Sequence, residues 1–413
     1  MIGGLMALAA GRTTASDAVA KADDTLSIHL DEAGIATVTG RQGLWAGCRV
    51  QREGRIGSAW AHGADPEWLL EAAVASAAVS DEGRLHLPAP APLARVQCAD
   101  REAAAATAGT VVALARQFHQ RLQARGRQVT CWAERSVGWV EVGNTRGVLA
   151  RYDQTLAGIG ATVTQDGDAP CSVWWSGVSL PGLGELEMLA AEVEALLAAP
   201  VDHSTSAPPP GPVLLLPRAV AGLLQPLHAV IAGRGHRELP ALDPSLTIRD
   251  DPHVPWRPGS RPVDDEGVPT MPRLMVNQGG IRGGLADLAT AHQLGVPATG
   301  SAVRRPGTVP RCAWSNLVME PGSESAGGLA DAARDGVLIR DLCWDGAAGD
   351  GRGDCRFRVE AAYRLRGTEV ASRLAPFEWT GNLFEWLSRV PALGRDREWV
   401  GAAQVPAMVI ITG

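Results

Sequence analysis

The sequence predicts an α+β protein of two domains. Residues 1–200 would form an N-terminal domain with a mixed sheet and helices, and residues 211–413 a strand-rich C-terminal domain resembling a barrel or a sandwich. The length of 413 residues exceeds what one small core usually fills. Segments with strand-like and with helical apolar spacing both occur. The one strongly linker-like stretch, VDHSTSAPPPGP at 201–212, separates the two halves.

The first third predicts a helix, three strands and two more helices. An Ala/Leu-rich helix opens the chain within residues 1–20, and it lacks the positive start that a signal peptide needs. Residues 25–63 alternate in the manner of short strands joined at glycines. Residues 65–79 predict a helix because Asp65 can cap it and a proline occupies its first turn. A single long helix is predicted over 101–125.

The remaining elements are predicted from the same strand-like and helical spacings of apolar residues. Pro226 should kink or interrupt the helix that contains it. The closing VPAMVIITG is an apolar, β-branched run, which predicts a buried strand. In order, the predicted elements are strands over 129–164 with a turn at 144–147, a helix at 185–198, a strand at VLLLP, a helix at 219–233, Gly-rich strands from 259, a helix near 284–294 and the closing strand.

Charge and cysteine content exclude several classes of protein. The net charge of -7 leaves no excess of positive charge for binding nucleic acid. Lys21 is the only lysine, which we interpret as the coding bias of a GC-rich genome. The seven cysteines are odd in number and widely spaced, so a reducing, cytoplasmic location with buried thiols is expected. No apolar run approaches the length of a membrane span.

Metal-binding residues are sparse. No two of the nine histidines lie three to five residues apart, as they do in helical zinc motifs. The nearest set that could form an altered metal site is His228, His236, Glu238 and His253. Isolated surface or core histidines are the alternative interpretation of this set.

Three further clusters allow two interpretations each. Five carboxylates at positions 250, 251 and 264–266 could share protons or bind a hard cation, or could be solvated loop acids. Residues 279–284, GGIRGG, could cradle a phosphate, but a tight turn before a helix is favoured. Arg304, Arg305 and Arg311 could receive a carboxylate or form a solvated edge.

The order of motifs in the second half resembles the TldD/PmbA family. The motifs are LTIRDDP, GSRPVDDEGVPT, GGLADLATAHQLGVPATGSAVR and NLVMEPG, followed by RFRVEAAYRLRGTEV, APFEWTGNLFEWLSRV and VPAMVIITG. The likeness covers residues 246–413 and is weaker before them, at GSAWAHGADPEWLLEAAVASA and NTRGVLARY. It implies the fold of that family.

The resemblance also implies a function. The family pairs a zinc peptidase subunit, TldD, that carries a His-Glu-x-x-x-His helix with a partner, TldE or PmbA, that lacks it. In this chain Gln225 and Pro226 occupy the position of the His-Glu pair, and no cysteine follows Cys355. The resemblance therefore implies a subunit with no catalytic or metal-binding residues and no cofactor of its own.

The implied partner is a TldD-like zinc metallopeptidase subunit, which would carry the zinc of a heterodimer that hydrolyses small or unfolded peptides. A natural-product precursor peptide is one candidate substrate. Residues that would line the partner's chamber or form the subunit contact are Asp264, Asp265, Glu266, Gly267, Thr299, Gly300 and Arg304. The alternative is an independent metal-dependent hydrolase with its site around His228, His236, Glu238 and His253.

Overall fold

The computed structural model describes residues 1–63, 65–166, 168, 170–202, 211–231, 239–346 and 352–412. Two large sheets dominate these ranges, and helices pack on them, which confirms the α+β class. No helix in the described ranges is long and apolar enough to cross a membrane. The elements before residue 200 are α1 (Ile2–Ala9), β1 (Ala15–Leu30), β2 (Ala36–Arg52), β3 (Arg55–His62), α2 (Pro66–Val79), α3 (Arg101–Ala105), α4 (Ala108–Leu122), β4 (Arg127–Asn144), β5 (Leu149–Gln165), β6 (Cys171–Gly177) and α5 (Leu183–Leu197).

The first sheet has six strands in the order β3-β2-β1-β4-β5-β6. Every neighbouring pair is antiparallel, so the expectation of a mixed N-terminal sheet needs correction. The physical reason is the connections: β1–β2, β2–β3 and β4–β5 are hairpins, and only short links separate their strands. In the predicted turn at 144–147, the Asn144 side chain accepts hydrogen bonds from the backbone N–H groups of Arg146 and Val148.

The two faces of this sheet have different neighbours, because side chains alternate along each strand. On one face, Ala18 and Ala20 of β1 pack with α1 and α2, while Ile28 and Leu30 of the same strand pack with α4 and α5. On the other face, Val19 belongs to a cluster with Val140 and Val142 of β4 and with Val263 from the second half of the chain. This helix-free face meets the second half at Val263, and the helix-covered side also meets it where Tyr363 hydrogen-bonds Leu196 of α5.

Two helix predictions need corrections in their bounds. The first helix ends at Ala9, and residues 15–20 begin the long strand β1 instead. The predicted helix at 101–125 is two helices, because Ala106 is extended and the Thr107 hydroxyl accepts a hydrogen bond from Thr110 N–H to cap α4. The cap at Thr107 therefore starts a new helix, although the helical spacing of apolar residues continues across this position.

The elements described from residue 201 onward are β7 (Val201–Asp202), β8 (Gly211–Leu215), α6 (Pro217–Ile231), β9 (Ile248–Asp250), β10 (Arg273–Asn277), β11 (Gly280–Ile281), α7 (Leu288–Leu294), β12 (Ala302–Val303), β13 (Arg311–Cys312), β14 (Leu317–Met319), α8 (Ala326–Ala332), β15 (Val337–Trp344), β16 (Asp354–Arg366), β17 (Glu369–Leu374), β18 (Phe377–Asn382), α9 (Leu383–Leu387), β19 (Ala392–Val400) and β20 (Ala403–Thr412). Twelve of these strands form the second sheet, and β12 and β13 pair with each other. The order of the second sheet is β11-β10-β9-β14-β20-β8-β15-β16-β17-β7, with β18 on β16 and β19 on β20. This order is an open path, and the strands described do not close into a barrel.

The centre of this sheet is buried on both faces. Val213 of β8 packs in the larger cluster with α6, whereas the next residue, Leu214, packs with Leu329 of α8 on the opposite face. This two-sided burial explains why VLLL and VPAMVIIT are continuous apolar runs, and it confirms the predicted closing strand. Residues 203–210 of the predicted linker lie outside the described ranges. The division into two domains stays a prediction.

Helix α6 continues through Pro226, contrary to the expected interruption. Proline removes one backbone hydrogen bond in a helix. Leu223, Leu227 and Val230 of α6 are buried in the core of the second sheet. Because tertiary burial supplies most of the stability of a short helix, these contacts outweigh the lost bond.

Deletion of residues 406–413 should abolish soluble expression. β20 pairs with β8, β14 and β19, and the deletion removes all five of its pairs with β8. The measurements are soluble yield and the melting transition of any protein recovered. A chain lacking only residue 413 is the matched control, because it retains every pair of β20. A monodisperse truncated protein with native melting would contradict this role of the strand.

Candidate functional site

The segment 263–270, called the junction loop below, is organised by one buried carboxylate. The Oδ1 atom of Asp264 accepts hydrogen bonds from the backbone N–H groups of Glu266 and Val268, both at 2.9 Å. Its Oδ2 atom accepts a third from Ala302 N–H at 3.0 Å. Gly267 has a φ of +84°, a conformation that favours glycine. The hydrogen bonds accepted by the Asp264 side chain therefore hold the backbone of the junction loop in its conformation.

Ion pairs join the junction loop to the helix-free face of the first sheet. Asp17 of β1 accepts a hydrogen bond from Arg49 Nε of β2 at 3.0 Å and another from Arg304 Nη1 at 3.1 Å. The Nη2 atom of Arg49 also donates to Glu266 Oε1 at 2.8 Å. The four side chains form one buried network, with the Arg304 side chain fully shielded from solvent. Two residues from each half of the chain contribute to it.

A second contact of the same kind involves the single lysine. Lys21 Nζ lies 2.5 Å from Asp265 Oδ2, and Arg304 N–H donates to the same oxygen at 2.7 Å. The ammonium group also lies 5.3 Å from the centre of the Trp45 ring. Arg304 therefore contacts the network through its side chain and Asp265 through its backbone.

Burial and neighbouring charges shift the pKa values of these acids in opposite directions. Burial, reinforced by the charge of Glu266, raises the pKa of Asp264 to about 7. Burial also acts to raise the pKa of Asp17, but the charges of Arg49 and Arg304 lower it overall. Asp17 is therefore the stable anion of the junction, whereas Asp264 is close to protonation at neutral pH.

All seven candidate residues from the sequence meet at or beside this junction. Thr299 is buried and both donates to and accepts from the backbone of Ala286. Gly300 has a φ of +65°, and a Cβ atom there would lie 2.5 Å from the carbonyl oxygen of Pro269 in the junction loop. In this chain the acids and Arg304 are buried and bonded to residues of the same chain. Their role in a chamber or a subunit contact stays a prediction.

Sequence patterns missed the partners of these residues. Asp17 and Arg49 lie in strands whose composition does not distinguish them from solvated charges. They precede Glu266 and Arg304 by more than 200 residues. The single signal in β1 is Lys21, the only lysine of the sequence, and a GC-rich coding bias accounts for it without a local role.

The other sequence clusters have structural roles. Asp250 accepts a hydrogen bond from Ser315 N–H at 2.7 Å, and burial raises its pKa to about 6. Gly279 lies in a tight turn, as favoured, but helix α7 begins only at Leu288, capped by Asp287. Of the arginines, Arg305 and Arg311 are exposed, while Arg304 is in the junction. Six cysteines are buried as expected, but Cys343 is exposed.

A cavity of about 850 Å³ lies beside α6 and is called the α6 cavity below. Helix α6 contributes Gln225 and His228 to its wall, and β15 contributes Asp341. Gln225 is exposed, while the neighbouring Pro226 is buried. The lining also includes Trp174 of the first sheet and Trp314, so both halves of the chain contribute aromatic side chains.

The donor groups near this cavity do not fit a zinc ion. The Nε2 atom of His228 accepts a hydrogen bond from Trp314 N–H at 3.2 Å, and the ring also hydrogen-bonds the backbone of Cys312. The Nε2 atom is thus engaged, and burial lowers the pKa of His228. His253 contacts the Thr270 hydroxyl, and His236 and Glu238 lie outside the described residues. Among the residues described, no three His, Cys, Asp or Glu side chains form a metal-binding group.

Comparison with known proteins identifies related sequences and folds. Residues 211–412 match the family model of the PmbA/TldA metallopeptidase C-terminal domain. The chain is 30% identical to a metalloprotease of Methanothermobacter thermautotrophicus over 151 residues, 37% of this chain and 33% of that protein. It is 31% identical to a metalloprotease of Archaeoglobus fulgidus over 170 residues, 41% and 39% of the two chains. The alignments thus span between a third and two fifths of these curated relatives.

A solved structure resembles the chain over nearly its whole length. TldE from Thermococcus kodakarensis superposes with a TM-score of 0.84, covering 99% of this chain and 98% of that chain, at 17% sequence identity. At this identity the similarity establishes the fold alone.

Substitution Arg304→Met should destabilise the protein by about 3 kcal/mol, because it breaks a buried ion pair and leaves Asp17 with one cation. Urea unfolding measures the change. Arg305→Met is the matched control: this neighbouring arginine is exposed, so its loss should change stability by less than about 0.5 kcal/mol. Equal changes in the free energy of unfolding for the two substitutions would contradict a specific contribution of the buried ion pairs to stability.

The stability of wild type relative to Asp264→Asn should decrease as the pH rises. The Asp264 carboxyl ionises near pH 4 when unfolded and at about 7 when folded. Between these values the folded protein holds a proton that the unfolded chain has lost, so raising the pH favours unfolding. We expect the free-energy difference between the two proteins to fall by roughly 2 kcal/mol from pH 5 to pH 7. Hydrogen bonds lost in the variant add an offset that does not depend on pH.

Urea titrations of both proteins at several pH values measure this difference. Comparison with the variant is necessary because His228, whose pKa is lowered by burial, makes an opposing contribution in wild type. A difference that stays constant across the range would contradict a protonated Asp264 in the folded protein.

Proposed function

Since residues 211–412 make this chain a member of the TldD/PmbA family, we propose that it is the non-catalytic, TldE/PmbA-like subunit of a heterodimeric TldD-type zinc metallopeptidase. The partner subunit would carry the zinc and hydrolyse small or unfolded peptides. This chain would close the partner's active-site chamber.

The observation that carries the proposal is the chemistry of α6. A catalytic zinc needs three protein ligands and one position for a water whose pKa it lowers. At the positions where the family resemblance puts the first ligand and the general base, this chain has Gln225 and Pro226. A proline has no side-chain group that could accept the proton of that water, and a neutral amide is too weak a base for this role.

The remaining polar groups support the same conclusion. His228, the nearest histidine, already uses its Nε2 lone pair for a hydrogen bond with Trp314 N–H. Coordination of a metal through this nitrogen would break that bond and leave the N–H group without its acceptor. The described residues therefore favour an auxiliary role over an independent hydrolase. Because His236 and Glu238 lie outside the described ranges, metal analysis has to test the second function.

Co-expression with a TldD homologue from the same source tests the proposal. We expect a stable complex on size-exclusion chromatography and cleavage of an unfolded peptide that a chelator abolishes and added zinc restores. Each subunit purified alone is the control, and this chain alone should neither cleave the peptide nor retain zinc after dialysis.

Two results would contradict the proposal. Absence of association at micromolar concentrations would remove the heterodimer. Near-stoichiometric zinc on this chain alone, with chelator-sensitive cleavage, would instead establish the independent hydrolase.

A further inference from the structure

Two neighbouring cavities share part of their walls. The α6 cavity and a second cavity of about 530 Å³ are both lined by Trp174, Arg218 and Val400. Arg218 belongs to the first turn of α6, and Trp174 belongs to β6 of the first sheet. The shared wall therefore combines a cation from one half of the chain with an aromatic ring from the other.

Arg218 is held in place but not fully satisfied. Its guanidinium carbon lies 4.6 Å from the centre of the Trp174 ring, and its Nη2 atom donates to the backbone oxygen of Trp174. Its Nε atom lies 3.3 Å from Glu192 Oε1. The remaining nitrogen, Nη1, is buried and has no acceptor among the described residues.

Arg340 lies beside Arg218 and is also incompletely hydrogen-bonded within the described ranges. Arg340 contacts the same Glu192 carboxylate, and its Nη1 atom also finds no acceptor in the described part of the chain. Two further acids act on both arginines: the exposed Glu398 and Asp341, whose pKa burial raises. Glu192 is the carboxylate that pairs with both guanidinium groups.

A second donor lines the same cavity. The indole Nε1 atom of Trp314 is buried and lacks an acceptor among the residues described. The ring lies 5.2 Å from that of His228, and its backbone N–H donates to His228, so the side chain is supported on α6. A buried donor without an acceptor destabilises the folded protein, and a ligand with suitable acceptors recovers that free energy.

The rest of the wall is mostly apolar. It includes Ala221, Leu224, Leu317, Leu342 and Ala403. A pocket of this kind buries an apolar side chain, and a few convergent polar groups orient it. A dianion such as phosphate is less suitable, because Glu192 and Glu398 add negative charge near Arg218 and Arg340.

We propose that the α6 cavity binds the C-terminal residue of a peptide. The terminal carboxylate pairs with Arg218, the preceding carbonyl oxygen accepts from the Trp314 indole, and an apolar side chain contacts the aliphatic wall. The choice of a peptide rests on the proposed function, since a subunit of a peptidase complex meets peptide ends. Through this site the chain would hold a peptide by its end without taking part in the chemistry.

Isothermal titration of the isolated full-length chain tests the proposal. The probes are N-acetyl-Ala-Leu as the free acid and the same dipeptide as its C-terminal amide. We expect the free acid to bind at least about tenfold more tightly than the amide, which corresponds to roughly 1.4 kcal/mol for a charge-assisted pair. Equal affinities, or no binding of either probe at millimolar concentration, would overturn the proposal.

Variants locate the binding site. Arg218→Met should abolish the preference for the free acid over the amide. Ala221→Trp should fill the cavity and lower the affinity for both probes. Arg249→Met, which removes an exposed arginine outside the cavity, is the matched control and should leave both affinities unchanged. If Arg218→Met does not fold, the acid and amide comparison together with Ala221→Trp still decides the outcome. Unchanged binding in Ala221→Trp would move the site elsewhere and refute the assignment.

The two proposals can fail separately. A zinc-dependent complex whose isolated TldE-like subunit shows no preference for the acid would refute the peptide site alone. Acid-selective binding by a chain that never associates with a TldD homologue would refute the heterodimer alone.

Discussion

The buried pairing of Asp17 with Arg49 and Arg304 is the interaction on which the arrangement of the two sheets depends. Charged groups removed from water are tolerated only when they are paired in good geometry. Asp17 and Arg49 are fixed on neighbouring strands, so the loop carrying Glu266 and the segment carrying Arg304 must meet them at one place. A small shift between the two halves would preserve apolar contacts such as that of Val19 with Val263. The same shift would break the hydrogen bonds of the charged network.

Local patterns predicted most elements but few of their limits. The capped helix after Asp65, the turn at Asn144 and the closing strand follow from nearby residues, and the structure has all three. The break at Thr107 was missed, because a cap outweighed the periodic pattern. The interruption expected at Pro226 as the alternative to a kink does not occur, because core burial stabilises α6. The acids at 264–266 were recognised as a cluster. Their cations lie in distant strands, so no spacing rule could have identified the pairs.

Helix α6 presents one set of residues to the core and another to the α6 cavity. Its stability comes from Leu223, Leu227 and Val230, which point into the core of the second sheet. The polar residues Gln225 and His228 line the cavity instead. Because the two sets of residues occupy different parts of the helix surface, substitutions in one set leave the other intact. The folded framework and the donor set of such a helix can therefore change independently.

The pairing of β8 with β20 has a kinetic consequence. These central strands are joined by the intervening sequence, and Thr412 bonds to Gly211 across a separation of 201 residues. Closing so long a loop loses much chain entropy before any contact is gained, and folding rates fall as contacting residues become more distant. The neighbouring hairpin β15–β16 can form earlier, but it then exposes an apolar strand edge until β8 and its partner arrive. Slow maturation, with a period of vulnerability to aggregation, is built into this topology.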